Sequence, residues 1–394
     1  MKAKHYAALL TLLLAGSFYR WTDEEKEVET EGDIIVFRGD VSEIETIRYH
    51  DEKADALIEL RGTGEDAYPW VKVDARKVVK PKPEPSTDPA NDTPPKSEDV
   101  AAADGTAEDA ATEVAANDVA QEEVVEVTTT EFKGGEAAGA LLESFSPLFA
   151  MRLLPDIDDA KLAELELDAP EAWLEIQRKG RTQKLELGGE AFGTRDRYVR
   201  DVESGEVYLV DADILRPIAH AKSRLPDREL IGADEEAVIN VKLTAPAGEI
   251  TMSQQNRDDR KLAFWANATD TSRSVEMYEN WLDKLFRLRA LSYVQKDEKP
   301  DPSALEKVFN ATFDVEQGKA VTLEVMQYTP EGETQAKYIA KSTHTHEWVN
   351  LHKTLASEAI DDVEAVIKAT PDEEPAAEEQ EATPASSVAP PQLP

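Results

Sequence analysis

The sequence contains no cysteine. Disulfides, thiolate metal sites and cysteine nucleophiles are therefore excluded. Basic residues are scarce: 44 Lys and Arg against 81 Asp and Glu give a formal net charge of −37 over 394 residues. Nucleic-acid backbones are bound by cations that displace condensed counterions, so this balance argues against a nucleic-acid partner. It argues equally against adhesion to an anionic membrane through a basic patch. No Walker-type phosphate loop, Gly-x-Ser-x-Gly elbow or His-Glu-x-x-His pair occurs. What remains is length enough for two or three domains and 41% hydrophobic residues, sufficient for a core.

The N-terminus carries Lys2 and Lys4, then an uncharged run, then Asp23, Glu24 and Glu25. This asymmetry keeps the lysines cytoplasmic and exports the chain beyond them. From Tyr6 to Tyr19 the run spans roughly 21 Å as a helix, less than the ~30 Å hydrocarbon core. Tyr6, Tyr19 and Trp21 suit the interfaces, and Lys4 and Arg20 can snorkel. Residues 1–22 thus read as a single membrane anchor, with a cleaved signal peptide as the alternative. Leu14-Ala15-Gly16-Ser17 has the form of a lipobox with Ser where lipidation needs Cys. Both readings place the bulk of the chain outside the cytoplasm.

Residues 80–125 are rich in Pro, Ala, Asp and Glu and lack aromatics, as is the tail at 370–394. Too little apolar surface is available there to offset backbone entropy, so both are expected to be disordered. The rest alternates and repeats. Strand patterns at Ile44–Tyr49, Ala56–Leu60 and Pro69–Val73 lead, past Val127–Phe132, to an expected helix over 136–154 that Pro147 divides. Strand patterns at Ala237–Leu243, Glu249–Ser253 and Lys261–Trp265 lead to an expected helix over 275–294, with Val275, Tyr278, Trp281, Leu282, Leu285, Leu288 and Leu291 on one face. Trp70 and Trp265 hold equivalent places. Further strands follow at 172–176, 182–187, 197–200 and 206–210, with a short helix at 213–222. In the second half come strands at 321–325 and 336–340 and a closing helix over 348–367. The expected fold is α+β: two duplicated units of mostly antiparallel sheet plus amphipathic helices, at 32–225 and 226–369.

Several short motifs recur in a characteristic order. They are Ile44-Glu-Thr-Ile47, Leu162-Ala-Glu-Leu165-Glu-Leu167-Asp168-Ala-Pro170, Leu185-Glu-Leu187-Gly188, Tyr198-Val-Arg200, Val207-Tyr208-Leu-Val210 and Leu225-Pro-Asp-Arg228-Glu-Leu230. With the N-terminal segment, this order resembles the domain-of-unknown-function family 4340. Those bacterial envelope proteins include auxiliary components of gliding-motility-type ABC transporters. The chain departs from the family at Glu166, where Gly is common, and in the length of its acidic insertion. The resemblance implies an exported, membrane-tethered protein and carries over no catalytic residue.

Candidate chemistry is sparse. His344 and His346 at i,i+2 spacing, with Glu347 and His352, have ligand types suited to Zn²⁺. A polar strand end running into a helix accounts for them more simply. Leu187-Gly188-Gly189 to Arg197 is glycine-rich but lies between strands, so it reads as a wide hairpin loop. Arg195, Arg197 and Arg200 there have the chemistry to contact a carboxylate or sugar. The pairs Asp158-Asp159, Asp258-Asp259 and Asp361-Asp362 read as surface or capping residues, with Asp158 placed to cap a helix. Tyr198 and Tyr208 read as a cross-strand pair, and Trp70, Trp173 and Trp265 as core. No catalytic, cofactor or metal residue is assigned. The expected function is a membrane-anchored extracytoplasmic accessory or scaffold protein, not an enzyme, that binds partner proteins of an ABC-type envelope complex. A periplasmic carbohydrate- or peptide-binding module is the alternative.

Overall fold

A computed structural model describes residues 34–79 and 124–371. The expected anchor at 1–22, nearly all of the expected disordered insertion and nearly all of the tail lie outside the described residues. The strands of the first half are β1 (Ile34–Phe37), β2 (Ile44–His50), β3 (Ala54–Arg61), β4 (Tyr68–Val79), β5 (Val124–Lys133), β6 (Leu148–Ala150), β7 (Arg152–Leu154), β8 (Ala172–Arg178), β9 (Arg181–Glu190), β10 (Arg197–Asp201) and β11 (Val207–Val210). Those of the second half are β12 (Val238–Ala245), β13 (Gly248–Gln255), β14 (Phe264–Asn267), β15 (Ala290–Tyr293), β16 (Glu306–Val315), β17 (Val321–Tyr328), β18 (Lys337–Ser342) and β19 (Val349–Leu351). The α-helices are α1 (Glu136–Ser144), α2 (Asp159–Glu164), α3 (Ala212–Ala219), α4 (Ala221–Arg224), α5 (Glu276–Arg287), α6 (Lys353–Asp361) and α7 (Val363–Lys368). The fold is α+β and dominated by antiparallel sheet.

Nine strands form one sheet in the order β5-β4-β3-β2-β8-β9-β10-β11-β7, and eight form another in the order β14-β13-β12-β16-β17-β18-β19-β15. With β5 set aside, the two orders match strand for strand. Strand β1 pairs separately with β6. Alternation decides which face is buried. Val71, Ile58, Ile47 and Ile176 stand opposite one another across four strands, and Val73, Ala56, Tyr49 and Leu174 form the next such row. Helix α1 sets Leu141 and Leu142, with its cap Phe145, into this core. In the second sheet Met252, Val241 and Phe313 form a row, covered by α5. Its Tyr278, Trp281, Leu282 and Leu285 recur at helical spacing and are fully buried. Trp281 meets Phe309 edge-on with ring centroids 5.8 Å apart, and its Nε1–H donates to the Ala359 carbonyl at 2.8 Å.

Three expected helices are shorter than their apolar spacing implied. The helix expected over 136–154 ends at Ser144, and Leu148 and Ala150 are buried while Phe149 and Met151 are exposed. That alternation is a strand's, and Pro147 offers no N–H to continue the helix. The helix expected over 275–294 ends at Arg287, where Leu288 turns extended and β15 begins. The helix expected over 348–367 starts only at Lys353, after β19 has joined the sheet. In each case a strand at the sheet's far side takes residues that an isolated helix would have kept. Strand β16, central in its sheet, was not anticipated, although Phe309, Ala311 and Phe313 are buried in alternation.

The two sheets meet at a polar contact inside one continuous hydrophobic cluster. Lys133, on β5, donates from Nζ to Asp227 Oδ2 at 2.7 Å. His344 Nε2 lies 2.8 Å from the same oxygen and 3.0 Å from the ammonium. Lys133 and Asp227 side chains are each only 9% exposed. Burial pushes the Asp227 carboxyl up, but the bonds from His344 and Lys133 outweigh it and bring the pKa from 3.8 down to about 2. The Asp227 N–H also donates to the Lys133 carbonyl at 2.8 Å. Gly232 is required beside this contact: its φ is +65°, and a Cβ would fall 2.0 Å from His344 Nδ1. Nearby, His346 stacks on Tyr68 with centroids 4.1 Å apart, and Gln295 bonds both the N–H and the carbonyl of Glu131 at 2.8 and 3.3 Å.

Replacing Lys133 by Met strands the Asp227 charge, and urea unfolding is expected to show a loss of about 3 kcal/mol. Because the folded pKa of Asp227 is depressed, its contribution is present above about pH 4 and is lost as pH falls toward about 2. Acid titration of stability should therefore lose roughly 2 kcal/mol of that slope in Asp227→Asn. Trp281→Phe leaves the Ala359 carbonyl without its donor and should cost about 1–3 kcal/mol by the same assay.

Candidate functional site

The histidines do not converge. Strand β18 ends at Ser342, and the turn beyond it is wound by Thr345, whose Oγ1 accepts from Ser342 N–H at 3.0 Å and donates to the Glu347 carbonyl at 2.9 Å. The i,i+2 spacing therefore lies in a turn, not on a strand face. His344 goes to the sheet junction, His346 (φ +61°) to Tyr68, and His352 to the start of α6. Among the described residues no group of three metal-ligating side chains gathers.

The glycine-rich stretch forms the end of β9 and the wide loop 191–196. Arg197 donates from Nε to the Gly188 carbonyl at 3.1 Å, and Arg200 grips Glu186 at 2.8 and 2.5 Å. Arg195 is exposed. A cavity of about 540 Å³ opens between Gly188, Arg197 and the acids Asp51, Glu52, Glu166, Asp168 and Glu171. A hydrogen bond with Glu52, reinforced by its charge, pushes the Glu171 carboxyl up.

The carboxylate pairs serve the scaffold. Asp158 caps α2 by accepting from Lys161 N–H at 2.8 Å, as its position implied. Asp259 accepts from Lys261 N–H at 3.0 Å in a turn, and Asp362 pairs with Lys284 at 2.5 Å. Tyr198 and Tyr208 are not a cross-strand pair. Tyr198 faces Leu209 and Tyr208 faces Val199, so a one-residue offset in register puts the rings on opposite faces. Trp70 and Trp265 are buried as expected. Trp173 is only half-buried, stacked with His50 at 5.3 Å and covered by Lys184 at 5.0 Å.

Trp70 lies at the junction, with the Arg61 guanidinium 4.5 Å over its ring and Tyr293 against it edge-on at 6.4 Å. It is buried, so it offers no stacking platform to a sugar. A more open surface lies at the outer edge of the second sheet. A groove of about 660 Å³ runs between β15, the β17–β18 hairpin and the start of α6. Leu291, Tyr328, Pro330, Tyr338 and Leu351 give it apolar walls, and Lys353 stands at its rim. Leu291 is 58% exposed there, although its neighbours Ala290 and Tyr293 are buried. Sequence reasoning missed this groove because it placed Leu291 on the buried face of a long helix. Reading Ala290–Tyr293 as a strand would have put Leu291 outside.

No curated protein and no solved structure matches the chain. A match to a family model runs from the turn before α1 into β16, crossing the junction at Asp227 and taking in parts of both sheets. That family is the one the motif order resembles, and residues 135–308 match its model, Domain of unknown function (DUF4340).

Proposed function

We propose that this chain is a membrane-anchored extracytoplasmic accessory protein that binds protein partners of an ABC-type envelope complex. The observation that carries the reading is the apolar groove at the edge of the second sheet. A groove with aromatic and aliphatic walls and a charged rim has the anatomy of a protein-recognition surface. The N-terminal charge asymmetry and apolar run support export and tethering. The resemblance to envelope proteins associated with ABC transporters supports the class of partner. The matching strand orders support an origin of the two sheets by duplication, which leaves one copy free to specialise in contact. Among the described residues, Asp158, Asp362 and His344 are engaged in a cap, an ion pair and the junction, roles that suit a scaffold.

A photo-crosslinking residue placed at Leu291 in the full chain, in native membranes, should capture a membrane protein that co-purifies with an ATPase. The same residue at Leu262, 62% exposed on the second unit and away from the groove, should not. Leu291→Asp should lower that capture about tenfold, as loss of an apolar anchor costs ~1.4 kcal/mol or more. Its melting temperature should stay near that of the parent, because an exposed substitution is nearly neutral. Equal capture from both positions, or capture of soluble proteins alone, contradicts the reading.

A further inference from the structure

Strand β1 lies beside an exposed apolar patch. Ile34 pairs with Ala150 and Ile35 with Phe149. Met151 follows, donating its N–H to the Leu209 carbonyl at 2.8 Å, and Arg152 pairs with Leu209 on β11. The register then runs across the sheet: Val210 lies opposite Arg197 on β10, and Arg197 opposite Glu190 on β9. The loop 191–196 therefore rises from the same end of the sheet as Met151. Three strand spacings of ~4.8 Å put its root roughly 15 Å away.

Phe192 at this loop's tip is fully exposed, at 105%, with Phe149 at 40% and Met151 at 36%. The loop's stem is held: Ala191 N–H donates to the Asp196 carbonyl at 2.7 Å, and Thr194 N–H to the Ala191 carbonyl at 3.2 Å. An aromatic ring is thus presented to solvent on an ordered support. Arg152 and Arg195 are exposed beside it. Apolar tips flanked by arginine suit the acyl–headgroup boundary, where rings insert and guanidinium groups reach the phosphates.

We propose that this end of the first sheet rests on the lipid surface, with Phe192, Met151 and Phe149 as its contact residues. The inference deepens the membrane-anchored reading and rests on it. What selects lipid over protein as the occupant is the tether. With residues 1–22 in the bilayer, residues 23–33 reach at most about 40 Å. They deliver the chain to Ile34, which pairs with Ala150, the residue between Phe149 and Met151. This end of the described fold is therefore the one the anchor holds nearest the membrane. Exposed Glu190 and Asp213 at the same end disfavour anionic lipid, so the match is to zwitterionic headgroups.

Because the chain has no cysteine, Phe192→Cys and Leu262→Cys each give a unique site for a nitroxide. The labelled full-length proteins are mixed with phosphatidylcholine vesicles and floated on a density gradient. Collision of the label with oxygen and with a water-soluble nickel chelate is then read by electron paramagnetic resonance. The protein should float, and the label at 192 should favour oxygen over nickel by about threefold or more relative to the label at 262. Flotation with both labels equally open to nickel overturns this inference and leaves the anchor standing. Protection of the 192 label from both reagents also overturns it, because that pattern reports protein contact. Failure to float overturns the anchored reading and this inference with it.

Discussion

The ammonium of Lys133, the carboxylate of Asp227 and the imidazole of His344 meet where the two sheets join. Each comes from a different part of the chain: the last residue of β5, the segment leaving the first sheet, and the turn after β18. A buried carboxylate is tolerated only when cations and donors surround it. The contact can therefore form only when all three segments are in place. It links the inserted edge strand of the first sheet to the far loops of the second. Around it, Tyr68 against His346, Phe132 against Tyr293 and Gln295 along Glu131 complete a junction that is not uniformly apolar.

This junction explains why the sheets, alike in strand order, differ in one respect. Only the first carries β5, and β5 supplies Lys133. The match to the family model takes in Asp227 and parts of both sheets, while Lys133 and His344 lie outside it. Equivalent edges of the two sheets then remain for other contacts. Met151 lies beside β7 at one edge and Leu291 lies in β15 at the other, both exposed. The first lies beside strand β1, and the second opens on the groove.

Much of the sheet was legible in the sequence. Ala172–Ile176 alternates cleanly because one face is core, and Ile47 and Tyr49 follow the same rule beyond an irregularity after Ile44. Trp70 and Trp265 were placed correctly because they recur at matching points of a repeated pattern. What the sequence concealed were elements whose local pattern serves two structures. Leu285, Leu288 and Leu291 continue a helical spacing, yet β15 begins after Leu288 because β19 offers it a ladder. His344 and His346 follow the end of β18, as the simpler reading had it, but the turn that Thr345 winds there is not revealed by spacing alone. The junction was hidden because Lys133, Asp227 and His344 are far apart in sequence and each is unremarkable alone. The groove was hidden because exposure of Leu291 depends on the strand that the helical pattern masked.

The central claim is that the buried ionic contact holds the two sheets together. Pulsed electron resonance between nitroxides at Val202→Cys and Leu262→Cys, one on each unit of the full chain, tests it directly. The account predicts one narrow distance distribution at neutral pH, broadened when Lys133→Met is added. A broad or two-peaked distribution in the otherwise native protein would contradict it.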